Sequence, residues 1–259
     1  MSEIDSRAVV SPGARLGAGV RVGAGAFIGD EVELGDACVV MPQAVIQGPS
    51  QFGPGNVFHP LCSIGDEPQD LKYKGERTEL AVGEANVFRE FVTINRGTGF
   101  GGGTTRIGSH NLFMSYAHVG HDSQVGSHTI FVNGATLAGH VEVADYATVG
   151  AYSTVHQFCR VGRYAYIGAL TAITKDVAPF ALVVDAREVH CYGVNTVGLE
   201  RQGFDAARLE SIERAFRLLL RSKLNTSQAL DQMRAQLDGS ADVREIVEFI
   251  ESAQRGLIK

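Results

Sequence analysis

The sequence predicts a parallel β-helix of triangular section followed by a small helical domain, and three observations carry that prediction. A large apolar residue recurs every six positions over most of the chain. A small side chain stands two positions before nearly all of them. Near Pro179 both patterns stop and a helical period takes over.

The first observation begins at Val10 and continues through Leu16, Val22, Ile28, Leu34, Val40, Ile46, Phe52, Phe58 and Ile64. It resumes at Val82, Phe88 and Ile94, shifts by one residue, and runs again from Ile107 to Ile173. The second slot holds Ala8, Ala14, Val20, Ala26, Val32, Cys38 and their equivalents, with Leu80 as the one large occupant. Glycine often follows the large residue, as at Gly17, Gly35, Gly120 and Gly162. A helix does not tolerate glycine this dense, since each interior glycine costs ~1 kcal/mol relative to alanine. Short strands that turn corners at glycine or small residues satisfy the period, with six residues to a side and eighteen to a coil. Cys38, Cys62 and Cys159 fall in the small interior slot and read as buried hydrophobes.

Residues 1–190 are therefore expected to form the β-helix and residues 191–259 the helical domain. Asp205-Ala-Ala-Arg opens a helix with Leu209, Ile212, Phe216, Leu219 and Leu220 on one face. Thr226 or Ser227 caps a second, and Asp242 with Glu245 starts a third. This part is expected to cover the last coil and close its open edge.

Composition narrows the function. Thirty-one glycines in 259 residues, with only seven prolines and 44% apolar residues, exclude disorder and collagen. A net charge of −6 argues against nucleic acid as a partner. Met1–Val10 has acidic residues and no apolar core of a signal peptide, and no apolar run is long enough to insert stably in a bilayer. Four cysteines without a C-x-x-C pair fit a reducing, cytoplasmic location.

Function is expected where the repeat is interrupted. Two polar or glycine-rich segments, near 66–81 and 95–105, fit no rung and should leave the body as loops. None of the eight histidines occupies an interior slot. Counted modulo eighteen, His118, His121, His140 and His156 gather at one corner over three coils, with Asp122, Gly139 and Gln157. His110 and His128 stack elsewhere as a surface ladder. An imidazole beside a carboxylate on a rigid corner suits a general base near neutral pH. Zinc is the competing reading, but His121, His140 and His156 span two rungs, roughly 10 Å, too far for one ion within one chain.

The runs AHVGHD (117–122), NGATLAGH (133–140), HQFCRVG (156–162), QDLKYKGE (69–76), NRGTGFGGGT and the final RGLIK together resemble the bacterial UDP-N-acetylglucosamine acyltransferases of lipid A biosynthesis, over essentially the whole chain. The resemblance implies a left-handed helix, a homotrimer with active sites between subunits, and acyl carrier protein and UDP-N-acetylglucosamine as partners. It implies no cofactor and no metal. His121 would be the general base, Asp122 its orienting carboxylate and Gly139 the oxyanion donor. Gln69, Asp70, Lys72, His118, His140, His156 and Gln157 would line the acceptor and acyl pocket. Asn195 and Arg201 would hold the nucleotide, and Ala169 would act as acyl-chain ruler, suggesting a fairly long chain. The sister N-acyltransferases carry an extra N-terminal domain, which is not expected here because the repeat starts by residue ~8, while a related acyltransferase acting on a 3-amino UDP-sugar is an open alternative.

Two departures concern the nucleotide: Gln202, preceded by Glu200, stands where the family commonly has a second basic residue, and the segment 185–193 differs from the usual connection. Arg214, Arg217 and Arg221 share one helix face and, with Arg160 and Arg163, are expected to dock the acidic carrier protein. Two other classes compete: a zinc-dependent hydratase like the γ-type carbonic anhydrases, and a non-catalytic solenoid.

Overall fold

A computed structural model describes residues 2–185 and 188–259. The strands are two to six residues long and assemble into three parallel sheets of eleven, nine and eight strands, the faces of a left-handed prism. Face I runs from Glu3–Ile4 to Val189–Val194, face II from Val9–Val10 to Ala172–Ile173, and face III from Arg15–Leu16 to Arg160–Val161. Strands eighteen residues apart pair in register, as Val39 with Val57 and Thr136 with Thr154. Strand N–H groups therefore find carbonyls one coil away, as Val39 N with Asn56 O and Thr136 N with Ser153 O.

The six-residue period places one large side chain from each strand inside. Phe58, Phe88, Phe113 and Phe131 are fully buried and stack with ring centroids 5.2, 5.2 and 4.8 Å apart. Buried amides in the small slot form their own ladder: Asn56 Oδ1 accepts from Asn86, Asn86 Oδ1 from Asn111, and Asn111 Oδ1 from Thr129.

Glycine does a different job from the one expected. The left-handed residue at each corner lies three positions before the large apolar one and is mostly not glycine: Glu31, Gln43, Phe91, His110, Asp122, His140 and Tyr164 all have φ between 56° and 61° or thereabouts. The glycines after the large residue are needed for closeness. A Cβ on Gly35 or Gly120 would lie 2.6 or 2.7 Å from the backbone of the next coil. Side chains at the left-handed positions stack coil on coil, which offsets the ~1–2 kcal/mol cost of that conformation.

The last strand of face I, Val189–Val194, turns antiparallel onto Ala181–Asp185. The 190/191 division set above falls inside it. Four helices follow: α1 (Thr196–Arg201), α2 (Ala206–Leu220), α3 (Thr226–Leu237) and α4 (Ala241–Glu251). Asp205 caps α2 as expected. Asn225, not Thr226 or Ser227, caps α3, because its amide reaches Gln228 N while Gln228 returns a bond to Asn225 N. Ser240, not Asp242, caps α4. Asp242 is instead buried and takes two bonds of 2.9 Å from Arg208, and Glu245 takes Arg163, charge-assisted partners stronger than a cap. The C-terminal segment folds back to pair with Asp176.

Candidate active site

Both interruptions leave the prism at one corner. Ile64 and Val82 are consecutive rungs on faces II and III that stand eighteen rather than six positions apart, so twelve extra residues loop out. Ile94 and Ile107 are thirteen apart, leaving seven extra. The same corner, between faces II and III, carries His121, Asp122, Gly139, His140, His156 and Gln157. His118 is the outward residue of the adjoining strand on face II.

Asp122 is the fixed point. Its side chain is fully buried, and its Oδ1 accepts from Thr98 N at 2.9 Å. Its Oδ2 accepts from Thr98 Oγ1 at 2.6 Å and faces His121 Nδ1 at 2.8 Å. Its own N–H donates to Thr105 Oγ1. A carboxylate only accepts, so the His121 proton sits on Nδ1 and Nε2 presents a lone pair. Asp70, from the first loop, lies 3.9 Å from that Nε2. The His121 ring also covers Gly139, where a Cβ would come within 2.5 Å of Cε1. Among the described residues the Gly139 N–H has no acceptor. Gly101 is similarly constrained, since a Cβ there would lie 2.2 Å from the Asp122 carboxylate.

Around this centre, His140 packs edge-on to His121 at 5.1 Å and stacks on Phe158 at 4.6 Å. Burial pushes its pKa below the ordinary 6.5, against the opposing pull of Asp122. His118 is also pushed down, by burial and then by His121, and its Nδ1 meets Thr93 Oγ1 at 2.8 Å. Lys72 stands over the Phe100 ring, so the two loops touch, and Gln69 is exposed beside Asp70. His156 Nδ1 receives Arg255 Nη2 at 3.1 Å, bringing the C-terminal RGLIK run to the same corner.

Other expected residues lie elsewhere. Asn195 caps α1 through Gly198 N and donates to Tyr164 O, which places it at the corner between faces III and I. Arg201 is exposed at the end of α1. Ala169 is exposed at the corner between faces I and II, three coils above Ser115 and so ~14 Å along the axis. Arg160 and Arg163 do not extend the basic patch. Arg160 binds Asp176 and Phe249 O, and Arg163 binds Glu245, tethering the helices to the last coils. Arg214 and Arg217 on α2 and Arg221 at its C-cap remain exposed, with no carboxylate within 4 Å among the described residues. Of the segment 185–193, residues 186 and 187 lie outside the described residues.

His121, Asp122 and His140 bring donor atoms within 4.8 Å of one another, a metal-like grouping unlike the histidine trio considered from sequence. The Asp122 oxygens are already taken by Thr98 and His121, so the donor set suits an oriented base better than an ion. Thr98, Thr105, Thr93 and Arg255 are site residues that the sequence does not single out. Thr98 and Thr105 carry a signal from their place in the glycine-rich loop and Arg255 from the RGLIK run, whereas Thr93 carries none.

Comparison with known proteins agrees over the full length. A family described as UDP-N-acetylglucosamine O-acyltransferase, domain 2, matches residues 176–258. The chain is 46% identical over 259 residues to an acyl-[acyl-carrier-protein]–UDP-N-acetylglucosamine O-acyltransferase of Halorhodospira halophila, covering all of both chains. It is 47% identical over 256 residues to one of Xanthomonas campestris, covering 99% and 97%. Among solved structures, LpxA from Acinetobacter baumannii superposes with a TM-score of 0.95 at 34% identity over 99% of both chains.

Proposed function

The chain belongs to the UDP-N-acetylglucosamine O-acyltransferase family, and from that premise we infer that it moves a fatty acyl group from acyl carrier protein to UDP-N-acetylglucosamine in lipid A biosynthesis. The observation that carries the mechanism is the buried Asp122–His121 pair, whose free Nε2 faces the cleft beside Asp70.

His121 Nε2 takes the proton of the sugar 3-hydroxyl as its oxygen attacks the thioester carbonyl carbon. Asp122 holds the tautomer and stabilises the imidazolium. The Gly139 N–H faces the oxyanion of the tetrahedral intermediate. Collapse breaks the carbon–sulfur bond, the leaving thiolate recovers the proton from His121, and carrier protein departs with a free thiol. Gln69, Asp70, Lys72, His118, His140, His156 and Gln157 line the acceptor and acyl pocket. The acyl chain follows face II toward Ala169. No metal or cofactor takes part.

Asn195 and Arg201 sit on a different corner from His121, which supports a site completed by a second copy. The corner between faces I and II carries exposed Leu61, Phe91, Tyr116, Tyr152 and Leu170, beside outward Val57, Val87 and Leu112 on face I, an apolar surface suited to burial in a homotrimer. Arg214, Arg217 and Arg221 offer the carrier protein an unpaired basic face. Among the described residues no helix is long and apolar enough to cross a membrane, and the four free cysteines support a cytoplasmic location.

The test is direct. Purified protein given acyl carrier protein thioesters and UDP-N-acetylglucosamine should release carrier thiol and form a 3-O-acyl product. Mixing inactive His121→Ala and Arg201→Glu proteins during refolding should restore part of the rate. Absence of product with every acyl chain, together with chelator-sensitive hydration of carbon dioxide, would instead favour the zinc hydratase.

A further inference from the structure

Arg96 is a buried cation without a close counter-ion. It is 7% exposed, and the one carboxylate within 4 Å among the described residues, that of Glu67, lies 3.9 Å away and is itself largely in solvent. Its Nη1 donates to Gly65 O at 2.7 Å and its Nη2 to Tyr73 Oη at 3.4 Å. Its Nε has no partner among the described residues. Its backbone N–H donates to Asp66 O, and the neighbouring Asn95 amide donates to Glu67 O at 2.7 Å. Burying a guanidinium this incompletely satisfied is costly, so its contacts should secure something else.

Those contacts are with the strand end from which the first loop leaves, at Gly65 and Asp66, and with the loop itself, at Glu67 and Tyr73, whereas Arg96 opens the second. The path continues, because Tyr73 Oη donates to Glu76 O at 2.9 Å and the Glu76 carboxylate accepts from Gly99 N at 3.1 Å and from Lys74 N at 2.8 Å. The links Gly65–Arg96–Tyr73–Glu76–Gly99 close a ring between the two loops. The first loop presents Asp70 to His121 Nε2, and the second presents Thr98 to both oxygens of Asp122.

We propose that Arg96 is a positioning residue that binds the two inserted loops into one unit and thereby sets Asp70 and Asp122 against His121. The proposal rests on His121 as the base, and it concerns geometry that the rungs alone do not fix. Arg96 touches no reacting atom.

Arg96→Met, which keeps the stem and removes the guanidinium, tests it with two readouts. In amide hydrogen exchange, residues 66–78 and 96–103 should lose protection together, while rung amides such as Val119 and Leu137 keep theirs. In the transfer assay kcat/KM should fall about 100-fold, the scale of a 1 Å misplacement. Arg96→Lys, which retains the charge and a donor, should recover part of that loss. Combined with Asp70→Asn, the Arg96→Met loss should be well short of multiplicative, because both act through one loop. Tyr73→Phe, milder and carrying the test if Arg96→Met does not fold, should loosen both loops to a smaller degree. Loops that stay protected in both variants would overturn the proposal, as would losses that multiply in full with Asp70→Asn. A wild-type protein without transferase activity would sink the functional reading, while the exchange data would still judge the latch.

Discussion

Two corners of the prism make opposite use of the same backbone. Between faces III and I, His110, His128, Tyr146, Tyr164 and Phe180 occupy successive left-handed positions and stack at 4.9, 4.7, 4.6 and 6.0 Å. Between faces II and III, Asp122, His140 and Phe158 occupy the equivalent positions. The first corner has two histidines and a nearby carboxylate, since Glu84 lies 3.7 Å from His110, but both partners are about half exposed and no loop covers them. At the second, the glycine-rich loop holds a fully buried carboxylate against His121, and the first loop brings Asp70 to the other side of the same ring. Imidazole on a corner is therefore not sufficient. What separates the proposed catalytic corner from the structural one is a carboxylate held out of water under the glycine-rich loop, where a hydrogen bond to it is worth far more than at the surface.

The comparison can be broken most severely at that carboxylate. Asp122→Asn should lower kcat/KM between about 100- and 10,000-fold, the span of general-base assistance, with the fold retained. Glu84→Gln at the other corner should leave the rate unchanged. Steady-state kinetics on both variants checks the pair. Gly139→Ala comes next. Its Cβ would press within 2.6 Å of His121 Nε2, so the ring must shift and kcat/KM should fall about 100-fold without a matching loss of thermal stability.

The structural corner should respond in the opposite sense. Tyr146→Ala removes two ring stackings and should cost about 1–3 kcal/mol in denaturant unfolding while kcat/KM of the folded protein holds. The smallest effect concerns pH. His118 and His140 have pKa values held below 6.5 by burial, so the unfolded chain binds more protons than the native one as pH falls through 6.5. Native stability should therefore decline below pH 6.5 toward the folded values. His140→Asn should flatten the slope, and a series of thermal melts across pH 5–7.5 measures it.

Much of this was legible in the sequence because the repeat is a strict code. The large slot fixed which residues go inside, and counting modulo eighteen brought His121, His140 and His156 to one corner. The same counting failed where side chains bind across the fold. Ser240 rather than Asp242 caps α4 because Arg208 claims Asp242, a contact thirty-four residues away that no local pattern reports. Arg160 and Arg163 read as surface charge until Asp176 and Glu245 are seen beside them. The glycine density, which the sequence alone suggests as corner turning, reflects the closeness of the next coil more than the turning of corners. Thr98 and Arg96 lay in a segment outside the repeat, where the period says nothing.

The most direct measurement compares His121→Ala with His128→Ala in acyl transfer from carrier protein to UDP-N-acetylglucosamine, at equal folded concentration. His128→Ala should turn over at the wild-type rate, whereas His121→Ala should fall by at least about 100-fold. Equal turnover by the two variants would contradict His121 as the general base.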